Sequence, residues 1–204
     1  MHQYCKSSLA ATAFLIAVIQ PGQVKAQQQE VSIQTVVLNE SKLRINGTSN
    51  VTDFECKYNN DFEVDTLSHH LEITEDSVLV SGDDLPLIID SFDCGKRAIN
   101  KDFKSTLKSK EYPNIDIKLL EVYSENGRPK RASVAISLGG ATQQYLVSLT
   151  EEIMGNEVVA ISGTQKLKLS DFNLEPPRAL FGLIKVRDEL DVSFELLVKP
   201  GKTQ

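Results

Sequence analysis

The stretch "ELDVSFELLV", residues 189–198, places Leu190, Val192, Phe194, Leu196 and Val198 on one side of an extended chain. Asp191, Ser193 and Glu195 fall on the other side. An apolar repeat every second residue is the signature of a β-strand with one buried face. The same period recurs upstream. Leu43-Arg44-Ile45 leads into a Gly-Thr-Ser-Asn turn, after which Phe54, Cys56 and Tyr58 alternate with Asp53, Glu55 and Lys57. Leu71 and Ile73 are separated from Val78 and Val80 by the polar turn Thr74 to Ser77. Leu85, Leu87 and Ile89 alternate, as do Ile115, Ile117 and Leu119. Glu125-Asn126-Gly127 is a hairpin signal ahead of Ala132, Val134, Ile136 and Leu138. Gly139-Gly140 turns into Tyr145, Val147 and Leu149, and Gly155-Asn156 into Val158 and Ala160, then Leu167 and Leu169. About eight strands joined by short turns predict an all-β chain, an antiparallel barrel or sandwich. Closure into a barrel would remove exposed edges.

One segment breaks the period. From Arg97, the residues Ile99, Phe103 and Leu107 recur at helical spacing and form an apolar stripe. Arg97, Lys101, Lys104 and Lys108 form a second stripe, roughly 130° away at 100° per residue. Tyr112-Pro113 is the expected end of this short amphipathic helix, because a residue before proline is driven to extended geometry. The basic stripe has two readings. It is a solvated face paired with the acids of an acidic protein, or a transient contact with the headgroups of a membrane surface.

Residues 1–26 carry the order of an export signal: Lys6, an apolar run from Leu9 to Ile19, the breaker Gln20-Pro21-Gly22, and small residues up to Ala26. The run is shorter than the roughly 20 residues a membrane span needs. Cleavage near Ala26 would leave residues 27–204 as one domain, periplasmic or secreted, with 20 basic against 28 acidic side chains. That balance argues against nucleic acid as a partner, since phosphate binding needs excess cations. Two cysteines would remain, Cys56 and Cys94. An even pair in an exported chain favours a disulfide over two buried thiols. Closing a loop of about 39 residues would stabilise the fold by roughly 4 kcal/mol on chain-entropy grounds.

The sequence offers no constellation for catalysis, metal or cofactor. His69-His70 are adjacent, so on a strand they point to opposite faces and cannot easily share an ion. There is no Gly-x-Ser-x-Gly elbow, phosphate loop or dinucleotide fingerprint. Asp83-Asp84 and Glu151-Glu152 lie beside turns and read as solvated charge. The reading is a binding protein, not an enzyme. An eight-stranded barrel is just wide enough inside for packed side chains or for one elongated ligand.

Three motifs resemble one family, the bacterial YceI-like polyisoprenoid-binding proteins. They are "LRINGTSNVTDFECKY" at 43–58, "DSFDCGKRAINKDFKSTLKSKEYPNI" at 90–115 and "GTQKLKLSDFNLEPPRALFGLIKVRDELDVSFEL" at 163–196. The resemblance spans roughly residues 40–198. It implies a lipocalin-like eight-stranded antiparallel β-barrel, covered by the short helix, that holds an isoprenoid or other long-chain lipid in its apolar interior. It implies no catalytic residue. Phe54, Phe92, Phe103, Phe172, Leu180 and Phe181 are the expected lining, being large apolar residues on strands or on the segments that would cover the barrel mouth. The competing expectation is an envelope module of the same fold with a filled barrel. Neither reading fixes an oligomeric state.

Overall fold

A computed structural model describes residues 29–59, 62, 66–179 and 183–201. The export signal expected over residues 1–26 lies outside the described residues. The first strands are β1 (Gln29–Val37), β2 (Lys42–Ser49), β3 (Asp53–Tyr58), β4 (Leu67–Ile73) and β5 (Ser77–Gly82). Next come β6 (Leu85–Ile88), β7 (Phe92–Asp93), helix α1 (Arg97–Thr106), β8 (Asn114–Glu125) and β9 (Arg128–Leu138). The chain ends with β10 (Ala141–Gly155), β11 (Val158–Lys168), β12 (Arg178–Ala179) and β13 (Ile184–Pro200).

Eight of these close a ring in the order β1-β4-β5-β8-β9-β10-β11-β13 and back to β1, with antiparallel pairing throughout. The protein is an all-β, lipocalin-like barrel. The extra strands belong to a second tier. β13 runs for 17 residues, and its far end pairs with β1 from Thr35↔Pro200 to Val37↔Val198. Its nearer half pairs on the same edge with β2, from Leu190↔Gly47 to Glu195↔Lys42. β8 divides likewise: Val122 meets β5, while Ile115 and Ile117 meet β6. Near one end the wall therefore runs through β1, β4 and β5, and near the other through β2, β3, β7 and β6.

The alternation read from the sequence accounts for most of the packing. Val37, Val198 and Val159 are successive cross-strand partners, and such partners share a face. In β11 that face is Val159, Ile161, Gly163 and Leu167, opposite Val198, Leu196, Phe194 and Leu190. This is one residue off the Val158 and Ala160 suggested by the apolar pattern. The start of β11 is apolar on both sides, so the register with β13 decides which face turns inward. Gly163 lies under the Phe194 ring, where a Cβ would come within 2.7 Å of it.

Leu85 to Leu87 is a strand as expected, whereas Ile89 begins a 3-10 turn over Ile89–Ser91 that leads into β7. The helix also differs from expectation. It stops at Thr106, not at Tyr112-Pro113. Lys108 adopts φ 55°, its N–H bonds the Ser105 carbonyl, and the Ser109 N–H bonds the Lys104 carbonyl. These are the two bonds of a Schellman stop, with lysine in the left-handed position that glycine usually takes.

Candidate functional site

The helix lies over the barrel end opposite the β4–β5, β8–β9 and β10–β11 hairpins. Phe103 and Leu107 are buried beneath it, and Ile99 is partly buried. Phe62, Tyr58, Phe92 and Phe103, in that order, form a chain of rings, with centroids 5.0, 5.0 and 5.3 Å apart. Edge and tilted contacts at such spacings are the favoured geometry for aromatic side chains.

The start of α1 is fixed by covalent and polar restraints. Cys56 and Cys94 form a disulfide joining β3 to the residue that follows β7, both cysteines being buried. The Cys94 N–H donates to Asn100 Oδ1 at 2.6 Å, and Asn100 Nδ2 donates to Asp93 Oδ1 at 2.9 Å. Gly95 N–H donates to the same carboxylate oxygen at 2.9 Å. The Asn100 bond first, and the Gly95 bond second, hold the Asp93 carboxyl below its usual range. Lys104 pairs with Asp90 at 3.0 Å, so one member of the basic stripe anchors the helix to the segment before it.

Between α1 and the barrel wall lies a cavity of about 370 Å³. Ala98, Ile99, Phe103 and Leu107 form its roof, and Ile45, Phe54 and Leu190 line the strands beneath. Ile184 and Val186 of β13 complete one side, with Leu169 and Pro177 behind them. Val51 stands at the edge. The polar members are few: Ser49, Thr52, Lys96, Asp102 and Thr106. A carbon-lined space of this size suits a small apolar molecule or part of a longer one. Asp102 is its single carboxylate.

Local sequence explains the shape. Gly47 lies directly opposite Phe54, and a Cβ there would overlap the Phe54 ring. Glycine at this position lets the ring lie across β2 and form part of the wall.

Of the residues expected to line a ligand site, Phe54 and Phe103 face this cavity. Phe92 is buried below it in the ring chain. Phe172 is fully buried in the 3-10 turn Leu169–Phe172, its ring 6.3 Å from Tyr145. Leu180 and Phe181 lie outside the described residues. Sequence reading missed Ile184 and Val186, although they continue the even-numbered parity of Leu190 and Val192 back through "IKVRDEL".

Tyr145 donates to Asp171 Oδ2 at 3.2 Å, and its phenol is pushed up to about 12, chiefly by burial. His70 Nδ1 lies 2.9 Å from Ser32 Oγ. His69 sits opposite Ile33, and burial holds its imidazole below the usual value despite the nearby Asp83. Among the described residues no group of three or more His, Cys, Asp or Glu could hold a metal ion.

A closed eight-stranded barrel with a helix across one end defines a fold class, and solved structures share it. A protein from Burkholderia cenocepacia, BcnA, is 16% identical, with a TM-score of 0.58 over 78% of this chain and 96% of that one. A polyisoprenoid-binding domain from Saccharophagus degradans, implicated in plant cell wall breakdown, is 13% identical, with a TM-score of 0.56. That match covers 83% of this chain and 99% of that one. The likeness shows the fold: the chain is built as the YceI-like barrel that its three motifs resemble. No protein-family model matches the sequence, and no curated protein matches it.

Proposed function

We propose that this protein is an exported, non-catalytic carrier that holds an isoprenoid or similar long apolar lipid within its barrel. The observation that carries the reading is the cavity under α1, whose wall is carbon apart from five polar residues. Such a wall removes an apolar chain from water, and each buried methylene contributes about 0.8 kcal/mol. The shared fold with a polyisoprenoid-binding domain supports the choice of ligand class. The Cys56–Cys94 disulfide supports a periplasmic or secreted location, since such bonds persist in oxidising compartments. Cleavage near Ala26, leaving residues 27–204, belongs to the same reading. A carrier of this kind loads and unloads at membranes, so a transient membrane contact is part of its cycle.

The test is native mass spectrometry of protein purified from its own host, followed by lipid extraction. A bound prenyl chain, or uptake of isoprenols or prenyl quinones by the purified protein, is the expected result. Protein that is consistently free of lipid and takes up neither compound would overturn the proposal. It would favour the filled-barrel envelope module instead.

A further inference from the structure

We propose that the helix end of the barrel docks on an anionic lipid bilayer, with Val51 and Leu183 as the apolar contacts. The purpose of such docking rests on the carrier reading, whereas the face itself is argued from position and charge. Val51 is 61% exposed and Leu183 is 74% exposed. The backbone at both is hydrogen-bonded. Asn50 Nδ2 donates to the Leu183 carbonyl at 2.8 Å, and the Lys185 N–H donates to Asn50 Oδ1 at 2.8 Å. The Asn50 N–H returns a bond to the Lys185 carbonyl at 3.1 Å. The turn itself is closed by Ser49 Oγ, which donates to the Thr52 carbonyl at 2.7 Å. The two segments that carry them are thus held together, and Val51 is also part of the cavity wall.

The charge around this lip has the sign opposite to that of the whole chain. The protein carries a formal charge of −6, yet residues 96–108 hold five cations and one carboxylate. Arg178, Lys185 and Arg187 add three more cations, against Asp188 and Glu189 directly after them and Asp53 beyond the Val51 turn. The opposite end also exposes apolar side chains, Ile153 at 78% and Met154 at 57%. Of its three turns, β4–β5 and β10–β11 are acidic, residues 72–76 and 151–157 carrying three carboxylates each and no cation, while β8–β9 sets Arg128, Lys130 and Arg131 against Glu125, so these turns together hold seven carboxylates to three cations. Complementarity therefore selects the helix end for an anionic surface. A bilayer seated there meets the cavity at its lip, and an apolar chain passes between hydrocarbon and cavity without crossing water.

The experiment is co-sedimentation of the purified protein with phosphatidylcholine vesicles and with phosphatidylcholine–phosphatidylglycerol vesicles. The wild type should sediment with the mixed vesicles only, and less as salt is raised. Lys101→Gln and Lys185→Gln should each weaken this about fivefold, and Leu183→Glu about tenfold or more. Ile153→Glu should leave it unchanged. Equal partition to both vesicle types would overturn the proposal. So would wild-type binding by the folded Leu183→Glu and lysine variants, or loss of binding by Ile153→Glu, or binding that requires an added protein instead of lipid. Prenol uptake from detergent solution separates this proposal from the previous one. Sedimentation without uptake defeats the carrier alone, and uptake without sedimentation defeats the docking face alone.

Discussion

The two ends of the barrel are closed by different physics. At the hairpin end the chain reverses in short turns, and Asn126 and Gly127 take the successive positive φ values, 54° and 73°, that a tight two-residue turn requires. Backbone hydrogen bonds continue to the rim, but the aliphatic side chains there keep much of their exposure: Ile33 39%, Ile73 41%, Ile153 78%. At the other end closure is achieved by side chains. Phe172, Leu87 and Ile89 are at or near zero exposure, and the ring chain, the disulfide and α1 lie over the strand ends. Ladder hydrogen bonds set the shape of the whole ring, whereas most of the fully buried core is at one end. The cavity sits in that end, under an element that no ladder bond ties to the sheet. The roof can therefore shift by repacking side chains while the ring stays intact.

If stability is so concentrated, the largest losses should come from the helix end. Cys56→Ser with Cys94→Ser should lower unfolding free energy by roughly 4 kcal/mol, read from denaturant midpoints. Phe103→Ala should cost about 3 kcal/mol or more, since it empties the contact between α1 and the ring chain. Ile153→Ser at the opposite rim should stay within about 0.5 kcal/mol of wild type. Comparable losses from Phe103→Ala and Ile153→Ser would break the contrast.

A smaller effect isolates the polar latch from the packing. Asn100→Ala removes the acceptor for Cys94 N–H and the donor to Asp93, and should cost about 1–2 kcal/mol. It should also let the Asp93 carboxyl rise, because the Asn100 bond is the largest cause of its depression. The carboxyl is visible by NMR titration. An unmoved Asp93 would mean that the loop, and not Asn100, holds the start of the helix.

How much of this was legible beforehand depends on the range of the interaction. The alternation through Leu190 to Val198 and through Phe54, Cys56 and Tyr58 exposes its period locally, so the strands and the all-β class could be read directly. The even cysteine pair also indicated the disulfide. The two-tier wall could not be read, because β1 and β2 share the same edge of β13 and no local signal assigns each to its half. The helix stop was hidden because the left-handed residue is Lys108 and not glycine. The cavity was half legible. Phe54 and Phe103 stood out as large apolar residues, while Ile184 and Val186 required knowing that β13 extends back past Asp188.

The smallest expected effect tests whether the hairpin half is dry inside. His69 lies opposite Ile33 on β1 and Gly82 on β5, and shares its strand face with the buried Leu67, in the wall that carries no helix. Burial lowers its imidazole below the ordinary 6.5, and Asp83 opposes the shift only in part. A depressed histidine favours the neutral form in the folded state. As pH falls through about 6.5, the unfolded chain takes up the proton first, so stability present above that value declines until the folded imidazole also titrates. His69→Gln removes this contribution. The difference between wild-type and His69→Gln midpoints should therefore change in sign-consistent fashion between about pH 8 and about pH 5, with the wild type losing more on acidification. Carboxylates common to both proteins cancel in that difference. Identical pH dependence in the two would mean that water reaches the imidazole as freely as in the unfolded chain, and that the hairpin half of the barrel is open to solvent down to the level of β4.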